Sequence, residues 1–139
     1  MADDVIERAR AFLSTNNRAV LATFRADGRP QMSPVTVAVD DDGRVIISTR
    51  EPSIKVRNVR RDPRVSLVGI NDGFYGDWVQ VEGTAEIVDG PGVVDLLVDY
   101  YRRAAGEHPN WDEYRQAMID DRRVLIRFAI ERAGPTVSG

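Results

Sequence analysis

The sequence predicts a mainly β protein with a few helices, in which six strands form a largely antiparallel sheet curled into a small closed or split barrel. Three features carry this expectation. Short β-rich runs recur between Asp-Gly and Asn-Asp-Gly turn signals, the pattern of hairpins and meanders. The longest run, residues 77–88, alternates Val79, Val81, Ala85 and Ile87 with Gln80, Glu82, Thr84 and Glu86, as a strand with one buried face does. Gly83 stands in the middle of that run, where a bulge or sharp bend lets a sheet curl on itself.

The first element is an amphipathic helix over residues 4–13, with Val5, Ile6, Ala9, Phe12 and Leu13 at helical spacing and Asp3 or Asp4 as N-cap. Residues 18–25 and 30–39 flank Asp27-Gly28 and read as a hairpin. Residues 44–49 follow the Asp40–Gly43 turn as a third strand. A short helix, opened by Pro52 and stopped by Pro63, precedes the return strand 64–70. After the strand 77–88, Gly90-Pro91-Gly92 gives way to helical spacing, with Val93, Val94, Leu97, Val98 and Tyr101 on one face until Gly106. Asn110 opens another helix with Glu113 three residues on, a capping-box arrangement, and that helix runs to about residue 120. Residues 123–130 form the sixth strand, and the tail from Gly134 is short and pliable. No repeat, low-complexity tract or linker interrupts this order, so residues 1–139 read as a single domain.

Composition removes several function classes. At 139 residues, 42% apolar and 29% charged, the chain has globular proportions, which argues against disordered, collagen-like and membrane classes. A chain of this length buries roughly two-thirds of its unfolded surface. No apolar run reaches a membrane-spanning length, and the start M-A-D-D-V-I-E-R-A-R lacks a signal peptide's apolar centre, so a cytoplasmic location is expected. The absence of cysteine removes disulfides, thiolate zinc sites and a cysteine nucleophile. The single histidine, His108 in a G-E-H-P turn, rules out a histidine-built metal site within one chain. Without G-x-S-x-G it also leaves a Ser-His-Asp triad unsupported. Asp40 to Asp42 belong to a turn, Glu82 and Glu86 to an exposed strand face, and Asp120-Asp121 to a helix end; no metal ligand and no catalytic residue is assigned.

The chemistry concentrates in residues 48–64, S-T-R-E-P-S-I-K-V-R-N-V-R-R-D-P-R. Arg50, Lys55, Arg57, Arg60, Arg61 and Arg64 stand against Glu51 and Asp62, so the stretch is net +4 in a chain of net −3. A helix start with free N–H groups beside a lysine attracts an anion, although such charges also serve simply to solvate a helix face. Ser53 and Lys55, with the first-turn amides, are the best anion ligands. Ser48 and Thr49, ending the preceding strand, add hydroxyls, and Asn58, one turn beyond Lys55, points to a nearby face. Ser53 reads equally as a cap of its own helix, and Asn58 as a loop-tethering amide. Tyr100, Tyr101, Trp111 and Tyr114 lie in acidic sequence and read as helix packing rather than a base-stacking platform; with the acidic net charge, this argues against a nucleic-acid partner. A phosphate-like site in a barrel without a polypeptide nucleophile points to a bound cofactor as the source of chemistry.

The run R-V-I-I-S-T-R-E-P-S-I-K-V-R-N-V-R-R-D-P-R-V-S-L-V, followed after a short gap by V-Q-V-E-G-T-A-E-I-V, resembles the pyridoxamine 5′-phosphate oxidase-like superfamily of FMN-binding split β-barrels. The later A-G-E-H-P-N-W-D-E-Y-R-Q-A-M and D-R-R-V-L-I-R sharpen the resemblance to its actinobacterial branch that uses the deazaflavin coenzyme F420. It covers about residues 5–130. It implies a homodimer with two cofactor grooves at the interface, each lined by both chains. It also implies that Lys55 holds the cofactor phosphate, with Ser53 and Ser48 or Thr49 beside it, and that the backbone of Ser33, Pro34 and Val35 runs along the tricyclic ring. Trp78, in G-D-W, matches an aromatic position that approaches the partner's site, or else packs at a strand end.

The family's name-giving enzymes continue into a C-terminal segment with substrate-binding arginine and histidine, which does not follow the last strand here, so pyridoxamine oxidation is not expected. FMN and F420 both offer a phosphate and a tricyclic ring. The glutamyl tail of F420 suits Arg57, Arg60 and Arg61 better, unless these pair with Glu51, Asp62 or the acidic C-terminal helices. The implied function is a reductase that transfers hydride from reduced F420 to an unsaturated or quinone-like small organic substrate. The alternatives are an FMN-dependent oxidoreductase of the same fold and a non-catalytic carrier of F420, flavin or haem. No membrane partner is expected.

Overall fold

A computed structural model describes residues 2–135, apart from the side chain of Ala2. In chain order the elements are α1 (Ala2–Thr15), β1 (Arg18–Phe24), β2 (Pro30–Thr36), β3 (Ala38–Val39), β4 (Val45–Arg50), α2 (Ile54–Arg61) and β5 (Arg64–Ile70). They continue with β6 (Trp78–Thr84), β7 (Glu86–Val88), α3 (Val93–Ala105), α4 (Trp111–Asp120), β8 (Arg123–Phe128) and β9 (Arg132–Gly134). The strands form two sheets, one in the order β2-β1-β5-β6-β9 and the other β3-β4-β8-β7, and every neighbouring pair is antiparallel.

The six-strand expectation is therefore corrected to nine strands among the described residues. Two long runs each divide where the chain leaves one sheet for the other. Residues 30–39 bend at Val37, whose N–H donates to Asn17 O at 2.8 Å while Asn17 Nδ2 donates to Val37 O at 2.7 Å. Residues 77–88 bend at Ala85, whose N–H donates to Pro63 O at 2.7 Å instead of to a neighbouring strand. The ninth strand follows the expected last one and overlaps the expected pliable tail only at Gly134: Ala133 and Gly134 pair with Val81 and Gln80. Residues 136–139 of that tail lie outside the described residues.

Gly83 is needed just before the second bend. A Cβ there would stand 2.4 Å from Ala129 O and 2.7 Å from Phe128 Cδ2, so only glycine lets β6 approach the end of β8.

One core lies between the sheets. Ala19, Leu21, Val65, Leu67, Val79 and Val81 meet Val37, Val39, Val45, Ile47, Ile126 and Phe128, and α1 closes the end with Ala9 and Leu13. The second sheet is covered on its other face as well, where Ala38, Ile46 and Leu125 pack on Val93, Leu97 and Tyr100 of α3. Burial on both faces explains why β4 and β8 read as apolar runs rather than alternations. On α3 the buried tyrosine is Tyr100, with its hydroxyl donating to Thr36 O at 2.8 Å; the neighbouring Tyr101, expected on the packed face, is only half-buried. Gly106 ends α3 at φ 85°, a left-handed conformation in which a side chain is strained. Asn110 caps α4 as expected, its Oδ1 accepting from Glu113 N at 3.1 Å.

Candidate functional site

A cavity of about 470 Å³ opens where β4 and the start of α2 meet the end of β2, the α3–α4 connection and the start of β8. Its floor follows from strand register. Ser48 and Arg50 of β4 stand opposite Leu125 and Arg123 of β8, so Ser48 and Arg123 emerge on the same side of the sheet, toward α3 and α4. Lys55, on the first turn of α2, reaches the same space, as do Pro34, Val35 and Thr36 of β2 and Thr49 of β4. Tyr100, Tyr101, His108, Tyr114, Ala117 and Met118 supply the opposite, largely aromatic wall.

Lys55 forms no salt bridge with any described residue. Partial burial, and then the guanidinium of Arg123, push its ammonium below the ordinary lysine range. Arg123 Nε is buried without a hydrogen-bond partner and lies 3.5 Å from the Asp121 carboxylate, an ion pair without a directed bond. Two under-compensated cations facing one cavity are costly when empty and favourable around an anion, so the cavity's chemistry suits an anionic group. Tyr100 and Tyr114 do not share the charge chemistry. Burial raises both phenols, that of Tyr114 to about 12, and Tyr114 Oη donates to Leu97 O at 3.0 Å, so both stay protonated near neutral pH.

Of the sequence-predicted residues, the cavity brings together Pro34, Val35, Ser48, Thr49 and Lys55. Ser53 sits one step behind them: it makes no side-chain cap of α2, and its hydroxyl instead shares a 3.2 Å hydrogen bond with Thr49 Oγ1. Ser33 lies on β2 next to Pro34, its Oγ buried and without a partner, but it does not line the cavity.

Asn58, Arg61 and Trp78 lie elsewhere. Asn58 is buried at 3% exposure, its Nδ2 donating to Thr23 Oγ1 at 3.1 Å. Arg61 Nη2 donates to Asn58 Oδ1 at 2.7 Å and to Phe24 O at 2.8 Å. Together these bonds tie α2 to β1. Trp78 lines a separate cleft of about 250 Å³ with Gln80, Glu82 and residues 132–135.

The basic surplus is also largely spent. Arg60 Nη2 bridges Glu51 at 2.9 Å and Asp89 at 3.1 Å, and Arg64 pairs with Asp62 at 2.7 Å. Arg57, exposed on the same helix, has no ion-pair or hydrogen-bond partner among the described residues.

The Asn58 geometry carries a prediction. Asn58→Leu removes a buried amide and strips Thr23 and Arg61 of a partner, and is expected to cost about 2 kcal/mol of stability. Urea denaturation checks this, with a lowered midpoint as the expected result.

Sequence reasoning missed Arg123, His108 and the tyrosine wall as site residues. Arg123 reaches Ser48 only through the β4–β8 register, which links distant parts of the chain and leaves no local signal. The tyrosines read as packing, which is what Tyr100 does on one side while its other side faces the cavity.

Comparison with known proteins agrees with the fold. A conserved hypothetical protein of Mycobacterium tuberculosis is 27% identical, with a TM-score of 0.73 over 96% of this chain and 91% of its own. An F420 reductase superposes with a TM-score of 0.70 at 22% identity, covering 90% of this chain and 94% of the reductase. A heme-binding protein from Mycobacterium smegmatis gives a TM-score of 0.70 at 21% identity, covering 93% of this chain and 52% of that protein. The last two likenesses speak for the fold alone. Residues 5–136, nearly the whole chain, match the family described as pyridoxamine 5′-phosphate oxidase, and the chain belongs to that family.

Proposed function

We propose that the protein is a reductase that binds coenzyme F420 in the Lys55–Arg123 cavity and acts on an unsaturated or quinone-like organic substrate. The observation that carries this reading is the pair of cations beside the hydroxyls of Ser48 and Thr49: among the described residues Lys55 has no carboxylate partner, and the buried Nε of Arg123 has no hydrogen bond. That donor set fits a phosphate. When bound, the reduced deazaflavin supplies a hydride from its C5 position. The protein's own share would be to hold the phosphate with Lys55 and Arg123, to offer the β2 segment of Pro34 and Val35 to the ring system, and to keep water out with the tyrosine wall.

FMN offers the same phosphate and remains the second cofactor to test. The glutamyl-tail argument for F420 now rests mainly on Arg57, since Arg60 and Arg61 have internal partners. Titration of the pure protein with F420 and with FMN decides between them; failure of both to bind at micromolar concentration would overturn the reading.

The proposed assembly is a homodimer through the outward face of the five-stranded sheet, in the split-barrel arrangement. There Pro34, Val20 and Val68 stand in one cross-strand row and Met32, Ala22 and Ser66 in the next, with Met32 63% exposed. Such a face invites a self-complementary two-fold contact. It also runs into the cavity, because Pro34 belongs to both. Val68→Glu is expected to convert the dimer to a monomer in light scattering and to weaken F420 binding at least tenfold. A dimer that survives this charge would place the interface elsewhere.

A further inference from the structure

We propose that His108 is the hydrogen-bond donor that seats the carbonyl oxygen of a planar, conjugated carbonyl substrate in the cavity. This role rests on the reductase reading above. The geometry begins with the imidazole's other nitrogen. His108 Nδ1 accepts a hydrogen bond from the backbone N–H of Asn110 at 2.9 Å. A nitrogen that accepts carries no proton, so the neutral ring holds its proton on Nε2.

Asn110 is itself fixed, because its side chain caps α4 through Glu113 N. The ring is further held among Tyr101 at 5.2 Å, Tyr114 at 5.5 Å and Trp111 at 5.7 Å between centroids. Its tautomer and orientation are therefore set before any ligand arrives, which is what distinguishes a donor placed for use from one that happens to be near.

The surrounding wall names the ligand chemistry. Tyr100 and Tyr114 spend their hydroxyl protons on the carbonyls of Thr36 and Leu97. Among the described residues, His108 Nε2–H has no hydrogen-bond partner. Around it stand aromatic rings with Ala117 and Met118, surfaces that favour a flat apolar body. A donor-only N–H in such a wall matches an acceptor-only head, and a conjugated ketone or quinone combines that head with that body.

In a reduction that delivers hydride to the conjugated carbon, the displaced π electron pair would move to the carbonyl oxygen. The Nε2–H stabilises that charge, and a solvent proton neutralises it.

The chain has one histidine, so 15N-histidine NMR of the full-length protein reads this residue without assignment. Menadione serves as the probe, titrated with and without saturating oxidised F420. The expected results are an Nε2–H tautomer, a shift of its proton signal on adding menadione, and a lowered carbonyl stretch of bound menadione in the infrared. His108→Phe should abolish the infrared shift and His108→Gln, which keeps an N–H donor, should restore part of it. With reduced F420, His108→Phe should lower kcat by about 100-fold while the Kd for F420 changes less than about twofold.

An Nδ1–H tautomer, histidine signals unmoved by menadione, or an infrared shift that persists in His108→Phe would each overturn the proposal. The cofactor reading fails separately: F420 would then not bind, while the menadione-induced histidine shift persists without it.

Discussion

Lys55→Ala is expected to weaken F420 binding by about 10- to 100-fold, the loss of one hydrogen bond from a charged group to a phosphate, about 1.5–3 kcal/mol. The same substitution should leave the apoprotein at least as stable as wild type. Lys55 has no carboxylate partner among the described residues, is partly desolvated, and shares the cavity with Arg123, so its charge is a liability until an anion arrives. Isothermal titration and thermal melting together check both halves. Weaker binding accompanied by a large fall in Tm would mean that the lysine holds the fold rather than the ligand.

The pH dependence has a definite sign. Burial, and then Arg123, hold the folded Lys55 below the ordinary lysine value of 10.5. The unfolded chain keeps that proton to higher pH, so between the lowered value and 10.5 the unfolded state binds more protons and this residue's contribution to stability rises with pH. Below the window both states are protonated and the cost of the buried charge is constant. A bound phosphate favours the ammonium form, so F420 affinity should fall as pH rises through the same window. Wild-type minus Lys55→Ala differences in Tm and in Kd, measured along one pH series, test the two opposite slopes.

Gly83→Ala is expected to destabilise the protein by about 3 kcal/mol, at the upper end for overpacking, since one of the offended atoms is a backbone oxygen. For a chain of this size that corresponds to a fall in Tm of roughly 10 °C. The strand pair cannot relieve the clash by a rotamer change, because Ala129 O moves only with β8, and β8 is fixed by its register with β4. Urea denaturation should show a lower midpoint. An unchanged midpoint would mean that β6 and β8 separate without cost.

The helices were legible because their signals are local. Asn110 with Glu113, Gly106 after the last turn, and Pro52 and Pro63 around α2 mark ends that the structure reproduces within a residue or two. The division of strands was not legible. Nothing in the alternation around Val37 or Ala85 says that the hydrogen bonds transfer to Asn17 and Pro63, which are distant in sequence. Gly83 was noticed as a bend residue, but the bend falls two positions on, at Ala85, and the glycine serves instead to admit the chain at the end of β8.

At the site, Lys55, Ser48 and Thr49 were visible because they belong to one contiguous stretch. The arginines that made that stretch conspicuous turn out to be mostly internal ties, while the second cavity cation, Arg123, lay outside it. Local charge density marked the neighbourhood; long-range register chose the ligands.

The pairing of β4 with β8 also sets when the molecule becomes competent. Ser48 meets Leu125, and Arg50 meets Arg123, across most of the length of the chain. On a ribosome adding about 5–20 residues per second, β4 is complete for several seconds before β8 exists. Throughout that interval one edge of β4 is open, and it carries the apolar Val45, Ile46 and Ile47 that invite pairing with other chains. The anion site lacks Arg123 for the same interval. Completion of the anion site is thus a late event in the life of a nascent chain, because it waits for β8 to pair with β4.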